Sequence, residues 1–281
     1  MTTAIIDADI VAFRCAASAE KNGEEEALAL FHVDKVMENI LTVTAAKEWQ
    51  GYLSGTTNFR KALNEKYKAN RKGLSRPPLL SACKKHLANT WKCKVTNGIE
   101  ADDAIGIHHT NSPTHSTVVS IDKDFFQLPG ANYNFVKDVP TFVGGLHAAK
   151  HLYWLMLVGD TSDNVPGIRG IGPVKASKLL DECIDIGLWF KVVRSLYKKE
   201  DAIDGDKRFL TNLNLFWIMR NEEELWQNVP EHQSLITPDL VPHVEELQQK
   251  FLEFKETLSL QDGSMVSGGT LQNTTSTDHT A

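Results

Sequence analysis

The run from Val158 to Ala176, Val-Gly-Asp-Thr-Ser-Asp-Asn-Val-Pro-Gly-Ile-Arg-Gly-Ile-Gly-Pro-Val-Lys-Ala, constrains this chain more than any other stretch. Asp160 and Asp163 place two carboxylates close together, suited to a hard cation. The glycines that follow punctuate a turn before what reads as the start of a basic helix, where exposed backbone N–H groups can grip a phosphate. Ile168 and Ile171 alternate with those glycines, as expected of a packed hairpin rather than a slack linker. A site for a metal and a site for a phosphate backbone therefore sit side by side.

The rest of the chain supplies partners for both. The run Thr2–Ile6 reads as a buried first strand delivering Asp7 and Asp9 at its C-terminal end, the edge where open parallel sheets form sites. Glu100, Asp102 and Asp103 crowd a helix start, and the helix dipole accounts for only one or two of three acids there. Thr117–Ile121 reads as a strand ending in Asp122 and Asp124, whose alternate spacing places both on one side if the strand persists. With no cysteine or histidine at ligand spacing, an oxygen-only set of this size points to Mg²⁺ or Mn²⁺ rather than zinc. Two such ions can activate water and stabilise the leaving oxygen of a phosphodiester.

Charge is unevenly spread. Between Phe59 and Val95 there are eleven Lys and Arg against the single acid Glu65, so this segment is +10 within a chain of formal charge -6. Such polarity suits a protein that gathers acids in a metal site and bases along a polyanion path. Residues 58–73 and 79–91 read as two basic helices joined by a flexible elbow, an arch over the site, with Tyr67 either stacking on a base or packing. Beyond Lys175 the pattern is helical, near 174–183, 188–199, 206–224 and 241–258. His108, His109 and His115 read as ordinary surface or core histidines, and Cys15, Cys83, Cys93 and Cys183 as reduced, mostly buried thiols. No apolar run approaches the roughly 20 residues of a membrane span and no secretory signal is visible, so a cytoplasmic protein is expected.

These residues together resemble the 5′-nuclease family of flap endonucleases and 5′-3′ exonucleases. The resemblance lies in Ile5-Ile6-Asp7, Phe59-Arg60, Tyr67-Lys-Ala-Asn-Arg71, Glu100-Ala-Asp-Asp103, Asp122-Lys-Asp-Phe125 and Gly159-Asp-Thr-Ser-Asp-Asn-Val-Pro-Gly167, and covers about residues 3–185. It implies an α/β fold: a central parallel-rich sheet flanked by helices, a PIN-like nuclease core, with a smaller helical domain carrying a helix-three-turn-helix motif. The expected division is a core over 1–158 with its arch at about 59–92, a helical DNA-binding domain over 159–260 with the motif at about 160–185, and a disordered tail over 261–281.

The resemblance assigns Asp7, Glu100, Asp102, Asp103, Asp122, Asp124, Asp160 and Asp163 to two Mg²⁺ or Mn²⁺ ions, and Lys68 and Arg71 to the scissile phosphate. The basic arch sets Arg60, Lys61 and Lys72 against DNA, and the resemblance adds Gly167, Ile168, Gly170, Gly172 and Lys175 of the hairpin, with K⁺ as an additional ion there. The implied substrate is DNA with 5′ ends, flaps or overhangs, and RNA–DNA hybrid as a further one, cut by a monomer in a bacterial or phage-infected cytoplasm during replication or repair. One position departs from the pattern: Gly55 stands where family members carry a further acid before the Phe-Arg pair. Two other readings stay open beside this one, a branched-DNA-binding protein with weakened catalysis and a ribonuclease of the RNase H type.

Overall fold

The computed structural model describes residues 2–182, 185–222 and 224–266. The chain runs β1 (Thr3–Asp7), α1 (Ala8–Asn22), α2 (Glu26–Thr44), β2 (Glu48–Ser54), α3 (Phe59–Leu63), α4 (Leu80–Asn89), β3 (Lys94–Thr96), α5 (Ala101–Thr110), β4 (Ser116–Val119), β5 (Gly130–Asn134) and β6 (Val139–Val143). It continues through α6 (Gly145–Val158), β7 (Gly159–Asp160), β8 (Val165–Pro166), α7 (Pro173–Asp181), α8 (Ile186–Glu200), α9 (Gly205–Phe216), α10 (Pro230–Gln233) and α11 (Val241–Val266).

Six strands form one sheet in the order β3-β2-β1-β4-β5-β6, parallel except for the β5–β6 hairpin. The path leaves β1 toward β2 and β3, then returns to the other side of β1 with β4. That reversal opens a crevice at the carboxyl ends of β1 and β4, the usual ligand position in such sheets. Side chains alternate across it: Ala4 and Ile6 pack with α1, α2 and α4, whereas Ile5 packs with Ile105 and Val118 on the opposite face. A third apolar cluster joins Phe59, Leu63 and Tyr67 to α6 through α9 and α11, so the expected division at residue 158 falls within one continuous core. Among the described residues no helix is long and apolar enough to cross a membrane.

Four expectations are corrected. The segment 58–73 is not one helix. Asn58 caps α3 by accepting the Arg60 N–H at 2.9 Å, Asn64 accepts the Lys66 N–H, and Lys68 takes a left-handed conformation at φ 55° before a 3₁₀ turn over Ala69–Arg71. Its backbone and side chains dock on residues 161–164 instead. Strand β4 ends at Val119, and Asp122 caps the 3₁₀ turn Lys123–Gln127 by accepting the Asp124 N–H, so strand alternation is not what pairs those acids. Helix α9 stops at Phe216, short of the expected 224, because Trp217 turns extended and residues 217–219 run against α5 and Arg60. Helix α11 continues to Val266 through the start of the expected tail, whose remaining residues, like Cys183, lie outside the described ones. Cys15, Cys83 and Cys93 are buried free thiols.

Candidate metal and DNA site

The crevice between β1 and β4 collects the acids. Asp7, at the last residue of β1, is buried; it caps α1 by accepting the Ile10 N–H and accepts the Ser120 hydroxyl at 2.8 Å. Glu100 caps α5 in a reciprocal box with Asp103, which turns Asp102 of the first helical turn toward Asp7 and Asp122. Asp160 accepts the Ser162 N–H at 2.6 Å and holds the short turn between β7 and β8.

Burial and mutual repulsion load this group with unbalanced negative charge. Asp7 is pushed up to about 7, mainly by burial and with Asp9 and Asp122 adding to it, and Asp124 to about 8 by burial and the charges of Asp122, Asp160 and Asp163. Burial and Asp7, Glu100 and Asp122 raise Asp102 well above the ordinary carboxylate range, and burial with Asp163 and Asp160 raises Asp122. Glu100 goes the other way: burial alone would raise it, but Arg60, Lys68 and the Tyr67 hydroxyl hold it down to about 2. Buried acids that repel one another ionise together only beside a cation. Among the described residues no three of them already converge at ligand distance around one point. The oxygen donor set and the charge excess nonetheless fit a hard divalent ion.

Lys68 is the cation already present. Its ammonium pairs with Glu100 and lies 3.5 Å from Asp163; burial would lower its pKa, but Glu100, Asp163 and Asp102 raise it. The motif around it interlocks with the turn that follows β7. The Lys68 N–H donates to the Asp163 carbonyl at 2.8 Å, Asn70 to the Thr161 carbonyl, Arg71 to the Ser162 carbonyl and to the Asp163 carboxylate, and Asn164 back to the Lys66 carbonyl. Two motifs almost a hundred residues apart are thus halves of one structure. Tyr67 is buried, with its hydroxyl 2.7 Å from Glu100 and 3.0 Å from Asp163, so it packs and orients acids and offers no face for a base.

Two expected site residues have other work. Asp103 is fully buried and takes Arg60 Nη1 and Nη2 at 2.6 and 2.7 Å, plus the N–H groups of Glu100 and Met219, leaving no lone pair for a metal. Arg60 is equally buried; it also donates to Glu100 and to the carbonyls of Leu215 and Trp217, so it cannot meet DNA. At the hairpin, the Ile168 side chain is core. Gly167 is needed because a Cβ there would sit 2.4 Å from the Leu157 carbonyl and 2.5 Å from the Gly159 nitrogen, a close approach of two backbones. Gly170 at φ 75°, Gly172 before α7, and Lys175, Lys61 and Lys72 are exposed and available to a polyanion.

Gly55 is equally constrained: a Cβ would stand 2.2 Å from the Thr96 carbonyl. No acid fits that position without moving β3. The carboxylate nearest the end of β2 is instead Asp9, which accepts the Ser54 N–H at 2.9 Å and pairs with Lys84 at 2.6 Å. The sequence motifs give neither Asp9 nor Lys84 a role; an Asp two residues after a strand-end Asp is the available signal.

Comparison with known proteins gives the family and the fold. The family model described as 5′-3′ exonuclease, N-terminal resolvase-like domain, matches residues 2–150. The chain is 33% identical over 195 residues to a DNA polymerase I of Rhizobium leguminosarum, covering 61% of this chain and 18% of that one. It is 33% identical over 146 residues to the flap endonuclease Xni of Shewanella woodyi, covering 47% and 57% respectively. The matched part is thus less than two thirds of either relative's length. Among solved structures, the T5 5′-exonuclease with bound zinc aligns over 91% of this chain and 99% of its own, with TM-score 0.57 and 16% identity. A T5 D15 flap endonuclease in a pseudo-enzyme-product complex with DNA and metal ions aligns over 91% and 100%, with TM-score 0.54 and 15% identity. At such identities these likenesses establish the fold.

Proposed function

The chain belongs to the 5′-3′ exonuclease family, and from that premise we propose that it is a divalent-metal-dependent, structure-specific nuclease that hydrolyses phosphodiesters near DNA 5′ ends, at overhangs or flaps. The observation that carries this reading is the interlock of Tyr67–Arg71 with residues 161–164, which sets a lysine ammonium against a crowded acid site. An acid cluster alone repels a phosphodiester; a fixed ammonium beside it attracts one.

Seven acids hold the metal in this reading: Asp7, Glu100, Asp102, Asp122, Asp124, Asp160 and Asp163. Asp103 drops out because Arg60 claims it. When bound, the divalent ions supply Lewis acidity to the phosphodiester and lower the pKa of the attacking water. The protein's own groups do the positioning. Lys68 neutralises charge building on the non-bridging phosphate oxygens, and Arg71, half-exposed beside it, orients the same group. Tyr67 Oη fixes the Glu100 and Asp163 carboxylates, and Ser120 Oγ fixes Asp7 Oδ2. Exposed Lys61 and Lys72 extend the path for the single strand, while the N–H groups around Gly170, Gly172 and Lys175 take duplex phosphates in a helix-three-turn-helix arrangement.

A second reading, a branched-DNA-binding protein with weak turnover, draws support from Gly55, where no acid fits. One experiment separates the two: product mapping on a 5′-labelled flap and on blunt duplex, with and without Mg²⁺, for the wild type and Asp122→Ala. Metal-dependent products lost in the variant support the nuclease; tight binding of the flap without cleavage in either protein supports the second reading.

A further inference from the structure

The sheet's C-terminal edge carries a second lysine–acid pair that the mechanism above does not use. Asp9, in the first turn of α1, takes the Ser54 N–H with one oxygen and faces the Lys84 ammonium at 2.6 Å with the other. The ammonium also lies 3.4 Å from the Ser54 carbonyl. Lys84 is on α4, which packs against α1 and α2 on the sheet face opposite α5, so it approaches the strand ends from the side opposite Lys68 and Glu100. Asp9 is close enough to Asp7 for its charge to be felt there, which sets the pair against the acid group rather than on remote surface. About a third of the Lys84 side chain is exposed, and beside it Gly55 is exposed without a side chain.

An ion pair made only to join α1 to α4 would be placed as well anywhere along those helices and is worth little. This one is at the mouth of the crevice, anchored to the end of β2, with a bare backbone next to it. An ammonium has three N–H donors. The Ser54 carbonyl accepts one of them at 3.4 Å, and the Asp9 carboxylate faces the group as its counter-ion.

We propose that Lys84, held in place by Asp9, is a second phosphate-binding lysine, gripping another phosphate of the strand whose scissile phosphate meets Lys68. The strand then crosses the sheet edge between two ammonium groups on opposite faces, past exposed Gly55. This rests on the nuclease reading but makes a separate demand on binding.

The test is the salt dependence of affinity. The full chain is titrated with a fluorescent 5′-overhang duplex in Ca²⁺ buffer across roughly 50–200 mM KCl, for wild type, Lys84→Met and Lys84→Arg. Loss of one phosphate contact lowers the slope of log affinity against log salt by about 0.7–0.9. Lys84→Met should show that drop, with affinity about tenfold weaker at the low-salt end, while Lys84→Arg keeps the wild-type slope. A Lys84→Met protein that binds with unchanged slope and affinity makes the pair a structural tie and overturns the proposal. If Lys84→Met does not fold, Lys84→Gln gives the same readout. Wild type that fails to bind the duplex at any salt sinks the nuclease reading itself.

Discussion

Replacing Asp103 by Asn separates two roles that the sequence alone cannot. The Asp-Asp pair at 102–103 reads as two metal ligands, but the fold assigns them opposite tasks. Asp103 has no solvent exposure and accepts four hydrogen bonds, two from Arg60, itself almost fully buried, and one each from the Glu100 and Met219 N–H groups. Asn offers one carbonyl oxygen and turns an NH₂ toward the guanidinium, leaving a buried positive charge with only Glu100, 3.4 Å away, as counter-ion. Breaking a buried pair this way costs about 3–5 kcal/mol. At about 2–4 °C per kcal/mol for a chain of this size, the melting temperature should fall by roughly 6–20 °C. Thermal and urea unfolding of the metal-free protein measure that loss. Calorimetric Mn²⁺ titration of the variant, well below its melting temperature, should give an affinity within about threefold of wild type, because Asp103 has no free lone pair to lose. Asp102→Asn is the counterpart: it should weaken Mn²⁺ binding and leave stability unchanged or higher, since it removes a charge repelled by Asp7, Glu100 and Asp122. An Asp103→Asn protein with wild-type melting and abolished Mn²⁺ binding would refute the reasoning.

Three further outcomes follow from the same geometry. Asp7 and Asp124 sit at about 7 and about 8, above the ordinary 3.8, so between those limits the folded protein holds protons that the unfolded chain has released. Stability present below about pH 4 is therefore lost as pH rises through 7–8, by a few kcal/mol in all; the EDTA-treated protein should melt lower at pH 8.5 than at pH 5, Mg²⁺ should remove the trend, and a flat EDTA profile contradicts it. Tyr67→Phe deletes the hydroxyl between Glu100 and Asp163 and should lower kcat about tenfold with KM little changed; stopped-flow cleavage of a 5′-overhang substrate reads this, and a purely KM effect would move Tyr67 to the substrate path. Gly55→Asp should destabilise by about 1–3 kcal/mol without improving Mn²⁺ affinity, because the Cβ collides with the Thr96 carbonyl; tighter metal binding with unchanged melting would show that the position can accept an acid after all.

Two central strands were legible because their signal is local: Thr3–Asp7 and Ser116–Val119 are short apolar runs. The arch segment was not, because its conformation is fixed from outside. Residues 64–72 have helix-compatible composition, yet Lys68 adopts a left-handed backbone since its N–H donates to the Asp163 carbonyl and the side chains of Asn70 and Arg71 find acceptors at 161–163. Partners almost a hundred residues away in sequence outweigh a propensity worth tenths of a kcal/mol per residue.

The same distinction governs the site. Which acids gather could be read from their strand-end and helix-start positions, but which of them remain available depends on the cations the fold brings in. Arg60 reaches Asp103 from α3, Lys68 reaches Glu100 from the docked turn, and Lys84 reaches Asp9 from α4, and each is a tertiary contact over more than thirty residues. The three bases divide a single acidic edge into parts with different chemistry. A buried guanidinium makes Asp103 structural; a partly exposed ammonium beside Glu100 holds positive charge next to acids that want a metal; and a more exposed ammonium on Asp9 faces the opening. Burial falls along that series, from almost none of the Arg60 side chain exposed to 17% of Lys68 and 34% of Lys84. Since only a solvent-accessible cation can trade its hydration for a phosphate, that gradient favours Lys68 and Lys84 over Arg60 for the proposed phosphate contacts. It also explains why a sequence pattern that counts charges without burial assigns Arg60 to DNA and overlooks Lys84.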